Sequence, residues 1–310
     1  MALGSNHVTT TTAATFIPEI WSDEVVAAYK ANLVAANVFS KMAFKGKKGD
    51  TLHIPKPTRG SASAKAASTQ VTLIAATETE ITVSINKHFE YSRLIEDIVE
   101  AQAVASLRKF YTDDAGYALA KQVDTDLIQL GRAVGSGTAY STAASSTNAF
   151  IGSDGTTVYN SSSSNAAALA DAGLRRSIQR LDDADVPMTD RCLIVPPSTR
   201  NTLMGIARFT EQAFVGEEAN ANTIRNGMIG DLYGVKAYVS TNADSGAGSS
   251  GADRICLLAH KDAFVLAEQM GVRSQTQYKQ EYLGTLFTSD MLYGVAELRD
   301  SSAVALAVPA

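Results

Sequence analysis

Two cysteines, one tryptophan and four histidines are all that 310 residues hold of these side chains, and each scarcity narrows the field. Cys192 and Cys256 stand too far apart for a disulfide framework or a zinc knuckle, so two buried thiols in a reducing compartment are expected. His7, His53, His88 and His260 are scattered. His53 and His88 become neighbours only if the strands that carry them pair, and no carboxylate or thiol is placed to complete a metal shell. No apolar run is long enough to span a bilayer. The opening MALGSNHVTTTTAATFIPEIW has neither a basic start nor an apolar centre, so no secretory signal is expected and the chain reads as soluble and cytoplasmic in type. A net charge of −5 gives no support for general polyanion binding.

Catalytic signatures are equally thin. Neither a Walker A nor a G-x-S-x-G sequence occurs. Ser84-Ile-Asn-Lys87 has the S-x-x-K spacing, but it ends an alternating strand that points Ser84 and Lys87 to opposite faces. Gly135-Ser-Gly137 has Tyr140 where a dinucleotide fingerprint needs its third glycine, and it follows a helix rather than a strand. Asp113-Asp114, Asp124-x-Asp126 and Asp182-Asp183 are the densest acidic groups, and on amphipathic helices they read as solvated faces. No catalytic, cofactor-binding or metal-binding residue is assigned.

What the chain does contain is an arm and a rod. Residues 1 to about 17 are rich in Thr and Ala and read as an extended N-terminal arm; from Pro18 to Ser40 the apolar residues recur at helical spacing. GKKGDTLHIPKP then reads as a basic turn feeding a strand. RGSASAKAAS follows without one large apolar residue, and VTLIAATETEITVSINKHFE returns as a strand with Val71, Leu73, Ile81, Val83 and Ile85 on one face. Such a strand reaches about 50 Å, and an isolated two-stranded ribbon is marginal in water, so this β-arm must lie against something. From Ser92 to about Val134 the period turns helical and predicts a rod of about 60 Å, with Gly116 as the place for a bend.

Residues 135 to 168 read as linker except for NAFIGSDGTTVYN, a hairpin with an Asp154-Gly155 turn. An α/β pattern follows: a helix through Leu174, Ile178 and Leu181, the strand RCLIV, the helix TRNTLMGIARF, the strands VKAYVS and RICLLA, and DAFVLAEQ as a short helix. QTQYKQEYL, LFTSDMLYGVAELRD and AVALAV close the chain as strands that return towards the rod. Charge is uneven: between 41 and 65 seven lysines and arginines oppose Asp50 alone, whereas between 92 and 130 seven acidic residues oppose four basic ones. A basic arm and an acidic rod suit each other across subunits, with the charges setting register more than strength. Lys47, Lys48, Lys56, Arg59 and Lys65 on one side, and Glu96, Asp97 and Glu100 on the other, are the candidate inter-subunit contacts. No aromatic interleaves the basic stretch between 45 and 88, which argues against stacking on single-stranded nucleic acid.

This order of parts resembles the tailed-bacteriophage major capsid proteins of the Hong Kong 97-like fold. The likeness is carried by KGKKGDTLHIPKP, INKHFEYSRLIEDIVEAQA, YALAKQVDTDLI, DRCLIVPPSTRNTLM, GMIGDLYGVKAYVSTNA and AHKDAFVLAEQ, in that order over most of residues 35–310. The resemblance implies an α+β fold in five parts: an N-terminal arm and short helix (1–45), an extended β-loop (46–90), a peripheral domain with the spine helix (91–164), an axial domain (165–268), and strands returning to the peripheral domain (269–310). It implies a structural protein, not an enzyme, that forms pentamers and hexamers of an icosahedral phage head around double-stranded DNA held by weak, non-specific contact. A separate scaffolding protein is expected because no long scaffolding segment is seen, together with a portal protein and in some relatives a decoration protein, with assembly in the host cytoplasm, no membrane and no cofactor. An encapsulin-like compartment shell and a hydrolase built on residues 165–270 are the alternatives.

Overall fold

The computed structural model describes residues 33–43, 49–57, 60–71, 73, 78–98, 107–134, 140, 149–206, 231–246 and 253–310. β1 (Ser40–Ala43), β4 (Lys87–Glu96), β10 (Phe264–Lys279) and β11 (Gly284–Glu297) form a four-stranded sheet in the order β1-β10-β11-β4. β1 runs parallel to β10, and the other two pairings are antiparallel. β5 (Ala149–Ile151), β6 (Arg191–Val195), β7 (Asp231–Leu232), β8 (Val235–Val239), β9 (Asp253–His260) and β12 (Ala303–Pro309) form a six-stranded sheet in the order β5-β12-β9-β6-β8-β7. β2 (Thr51–Lys56) and β3 (Thr79–Ser84) pair as a separate antiparallel ribbon. The helices are α1 (Ala35–Val38), α2 (Leu107–Gln129), α3 (Asp171–Asp183) and α4 (Pro197–Met204).

Helix α2 continues as a 3-10 turn over Leu130–Arg132, and its C-terminal half joins the two sheets. Leu119, Val123, Leu127 and Ile128 share one buried cluster with Ile194 and Leu257 of the six-stranded sheet and with Phe264, Leu266 and Tyr293 of the four-stranded one. The six-stranded sheet is buried on both faces, because strand side chains alternate. In β12, Val304, Leu306 and Val308 pack with Leu174 and Leu181 of α3 and Leu203 of α4, while Ala303, Ala305 and Ala307 face the other way. β6 is buried at every position, as a central strand covered by helices must be. Cys192 and Cys256 are free and buried within this sheet, and burial pushes both thiols up to about 12.

Three expectations change. Ser92–Glu96 continue β4, registered against Thr288–Gly284 of β11, and only at Asp97 and Ile98 does a helical turn begin. Leu94 and Ile95 fit a helical stripe and a strand equally well, and pairing with a long neighbour decides for the strand. The described α2 is therefore 23 residues, about 35 Å, and Gly116 sits exposed within it without interrupting it. The segment read as the helix DAFVLAEQ is a 3-10 turn at Lys261–Ala263 followed by the start of β10. Its unbroken apolar run reflects burial on two faces: Phe264 and Leu266 point to α2, and Val265 and Ala267 to the opposite side. Of the closing strands, β10 and β11 lie beside α2, whereas β12 pairs with β9 and β5 in the six-stranded sheet. The helix expected over Pro18–Ser40 falls outside the described residues up to position 32.

The region read as linker holds real structure. Asp154 accepts from the Thr156 and Thr157 amides at 2.8 and 3.0 Å, with Gly155 at φ 63, so the expected turn forms. Tyr140 and Tyr159 are fully buried and donate to Asp244 and Asp253 at 2.9 and 2.7 Å. Arg132, just past α2, grips both oxygens of Asp244 at 2.6 Å. This bidentate pair ties the helix end to the strand-edge loop.

Candidate functional site

The β2–β3 ribbon is the base of the arm, and its register decides what it can hold. Leu52 lies opposite Val83 and Ile54 opposite Ile81, so four apolar side chains share one face. That face closes on Val265, Ala267, Leu292, Ala296 and Leu298, on the side of the four-stranded sheet away from α2. Val83 and Ile85 are buried there. The Ile85 amide donates to the Asp50 carbonyl at 2.7 Å, and the Gln269 side-chain amide donates to the Gly49 carbonyl at 2.9 Å. Where the chain leaves β3 for β4 it crosses β11 at Gly294, so closely that a Cβ there would collide with the Ser84 carbonyl oxygen.

Beyond Lys56 and Thr79 the pairing ends. From Gly60 to Val71 every described residue is exposed, and one turn, in which the Thr69 hydroxyl donates to the Ala66 carbonyl at 2.7 Å, punctuates the segment. Val71 is 63% and Leu73 90% exposed. Two large apolar side chains held in solvent on an otherwise polar tip are the kind of surface that marks a contact with another molecule.

A second set of groups bolts the exit of the arm to α2. Lys87, the first residue of β4, lies 3.0 Å from Asp126, and Tyr293, paired with Lys87 across the sheet, donates to the same carboxylate at 2.6 Å. Burial, and then the Asp126 carboxylate, push the Tyr293 phenol well above its usual range. Asp124 is fully buried and accepts from the Val34 and Ala35 amides at 2.9 and 2.7 Å and from Asn242 at 2.9 Å. It satisfies the first donors of α1, as a capping side chain does from within a helix's own sequence. Asp114 accepts from Tyr91 at 2.8 Å.

These carboxylates fit a solvated acidic face in the sequence; Asp124 and Asp126 serve the subunit's own interior instead. Of the candidate contact residues, Lys56 ends β2 and Lys65 lies on the tip, both exposed. Glu96 is exposed at the end of β4 opposite Gly284, and Asp97 accepts from Tyr278 at 2.9 Å. Lys47, Lys48, Arg59 and Glu100 lie outside the described residues. Among the described residues, neither Lys56 nor Lys65 pairs with Glu96 or Asp97. His53 stands opposite Thr82 and pairs with Glu80 at 3.1 Å, while His88 faces Leu292 and meets Asp290 at 3.2 Å, so the two histidines belong to different sheets. Ser84 and Lys87 likewise lie on separate strands.

At the end of β11, Glu297 keeps one buried carboxylate oxygen without a partner among the described residues. Burial, and then the neighbouring Asp300, raise its pKa to about 7. Since the folded value lies above the ordinary carboxylate value of about 4.3, the contribution is full below that value and is lost as pH rises through 7. Glu297→Gln is expected to raise the thermal midpoint at pH 8 and to flatten its fall between pH 5 and 7, read by calorimetry across that range.

A spine helix joining two sheets, with an arm anchored on one of them, is the architecture of a phage-shell subunit. The phage capsid protein family matches residues 40–306, and the chain belongs to that family. It is a structural protein of the phage head and a component of the virion, with the Hong Kong 97-like α+β fold, and membership sets aside the hydrolase and cellular-compartment readings. Similar solved structures include one from Mycobacterium phage Che8, 23% identical with TM-score 0.74 over 94% of this chain and 97% of that one. The capsid of cyanophage P-SCSP1u is 18% identical with TM-score 0.72 over 99% and 96%. The cyanophage Pam1 capsid asymmetric unit is 13% identical with TM-score 0.75 over 99% of both chains. No curated protein matches the chain.

Proposed function

We propose that the chain builds an icosahedral head from pentamers and hexamers, and that the β-arm of each copy clasps a neighbouring copy. The observation that carries this reading is the bare tip: residues 60–71 are exposed throughout, and Val71 and Leu73 stand in solvent. Assembly through many repeated heterologous contacts closes rings and then a shell, so a modest gain at each contact suffices. In this reading residues 46–90 are the clasp, 91–164 the peripheral domain, 165–268 the axial domain and 269–310 the returning strands. Lys47, Lys48, Lys56, Arg59 and Lys65 meet the partner's surface, and the exposed Glu96 is an acidic candidate to receive them. A separate scaffolding protein guides closure in the host cytoplasm, a portal protein occupies one vertex, a decoration protein can add to the outer face, and packaged double-stranded DNA touches the inner wall weakly because the subunit carries net negative charge. Deleting residues 58–68 is expected to leave folded, soluble subunits that form no closed shells by negative-stain microscopy. Normal particles from that deletion would refute the clasp.

A further inference from the structure

Two surface features take no part in anchoring the arm. The first is the end of the β10–β11 hairpin. Lys279 and Gly284 close it in register, and the Tyr282 amide donates to the Lys279 carbonyl at 3.2 Å. Leu283 then adopts φ 45, a left-handed conformation that glycine takes freely and that a leucine holds only at a cost of about 1–2 kcal/mol. Its side chain is nevertheless 67% exposed, and that of Tyr282 62%. A strained backbone that presents two bare apolar side chains points to a use for them. Glu281 and Glu96 are exposed beside them, and Asp97 lies next to Glu96, its amide bonded to the Leu283 carbonyl at 3.0 Å. Lys279 is the one basic residue of this hairpin end among the described residues, so the knob is acidic.

The second feature is an open groove of ≈ 500 Å³ between the arm's base and the chain after β11. Ile54, Pro57, Ile81 and Leu298 supply apolar walls, and Lys56 and Arg299 supply positive charge. Asp300 shares the adjoining recess with Lys56 and Arg299, so two basic lining side chains oppose one acidic one and the groove lining is net positive. Knob and groove sit at opposite ends of β11, whose 14 residues separate them by about 45 Å. They cannot meet within one chain.

We propose that the Glu281–Leu283 knob of one copy seats in the arm-base groove of a second copy. Tyr282 and Leu283 cover Ile54, Ile81 and Leu298, and Glu281 faces Lys56 and Arg299. The contact is heterologous, so each copy offers one knob and one groove and the pairing propagates. It rests on the family's shell assembly and differs from the clasp made by the arm's tip in its partner element: Lys56 serves both readings, but only here does it face Glu281 of the knob.

The test uses the full-length chain, with light scattering to find the concentration for half-assembly and calorimetry on the unassembled subunit. Leu283→Gly is expected to raise that concentration about tenfold or more, while the subunit's thermal midpoint stays level or rises because the backbone strain is gone. Glu281→Lys and Lys56→Glu are each expected to weaken assembly, and the two together to recover most of the loss. An unchanged assembly concentration for Leu283→Gly, a lowered midpoint for that subunit, or a charge-swapped pair no better than the worse single variant would each overturn the proposal. A failure of the tip clasp would show as normal shells from the 58–68 deletion and would leave this charge-swap result to be read on its own.

Discussion

Asp124→Ala is expected to remove a large share of the subunit's stability. The carboxylate is fully buried and holds three donors: the Val34 and Ala35 amides and the Asn242 side chain. Truncation leaves those donors without their acceptor in a place water does not reach, and orphaned buried donors cost more than the net worth of a hydrogen bond. The sum is about 3–5 kcal/mol, against a typical total of 5–15. For a chain of this size the thermal midpoint should fall by roughly 10 °C. Asp124→Asn keeps one acceptor oxygen and should fall less. Hydrogen exchange would place the first loss at residues 33–39, whose attachment to α2 passes through this group. An alanine variant as stable as the parent would mean that α1 is held by its apolar contacts alone.

Gly294→Ala is expected to abolish shell formation while leaving most of the subunit folded. The added Cβ meets the Ser84 carbonyl where the arm crosses β11, and backbone cannot swing aside as a flexible side chain can. Relief requires the β3–β4 junction to lift, which opens the Val83, Ile85, Val265 and Ala267 cluster and re-aims the ribbon. The local cost is about 1–3 kcal/mol, small beside the core that joins both sheets around α2. Its consequence for assembly is larger, because a rigid arm displaced at its root misses its target by a distance that grows towards the tip. Calorimetry should show a modest drop in midpoint, and microscopy should show no closed particles. Normal shells from this variant would mean that the arm's aim is set by its partner and not by its base.

How far the sequence could be read follows from which residues have only one physical solution. RCLIV, RICLLA and AVALAV are short apolar runs between turn residues, and they form β6, β9 and β12 of the buried sheet. The Asp154-Gly155 turn and the apolar face of the arm's return strand at Ile81, Val83 and Ile85 were legible for the same reason: turn chemistry and a period of two are local signals. Ser92–Glu96 and Phe264–Gln269 were misread because each is apolar at spacings compatible with either element, and the deciding fact is a strand partner some 190 or 30 residues away in the chain. The buried roles of Asp124 and Asp126 left no trace in the helical pattern beyond their even spacing, since their partners Ala35, Asn242, Lys87 and Tyr293 are remote. The knob at Leu283 was invisible too, because only a backbone angle distinguishes it from any exposed leucine.

The most direct test of the central claim is a reconstruction of the assembled particle fine enough to trace the backbone of residues 60–73. The account predicts that this stretch lies on a different copy, with Val71 and Leu73 covered by it. Tracing the same stretch back onto its own chain, or finding both side chains still bare in the closed shell, would contradict it.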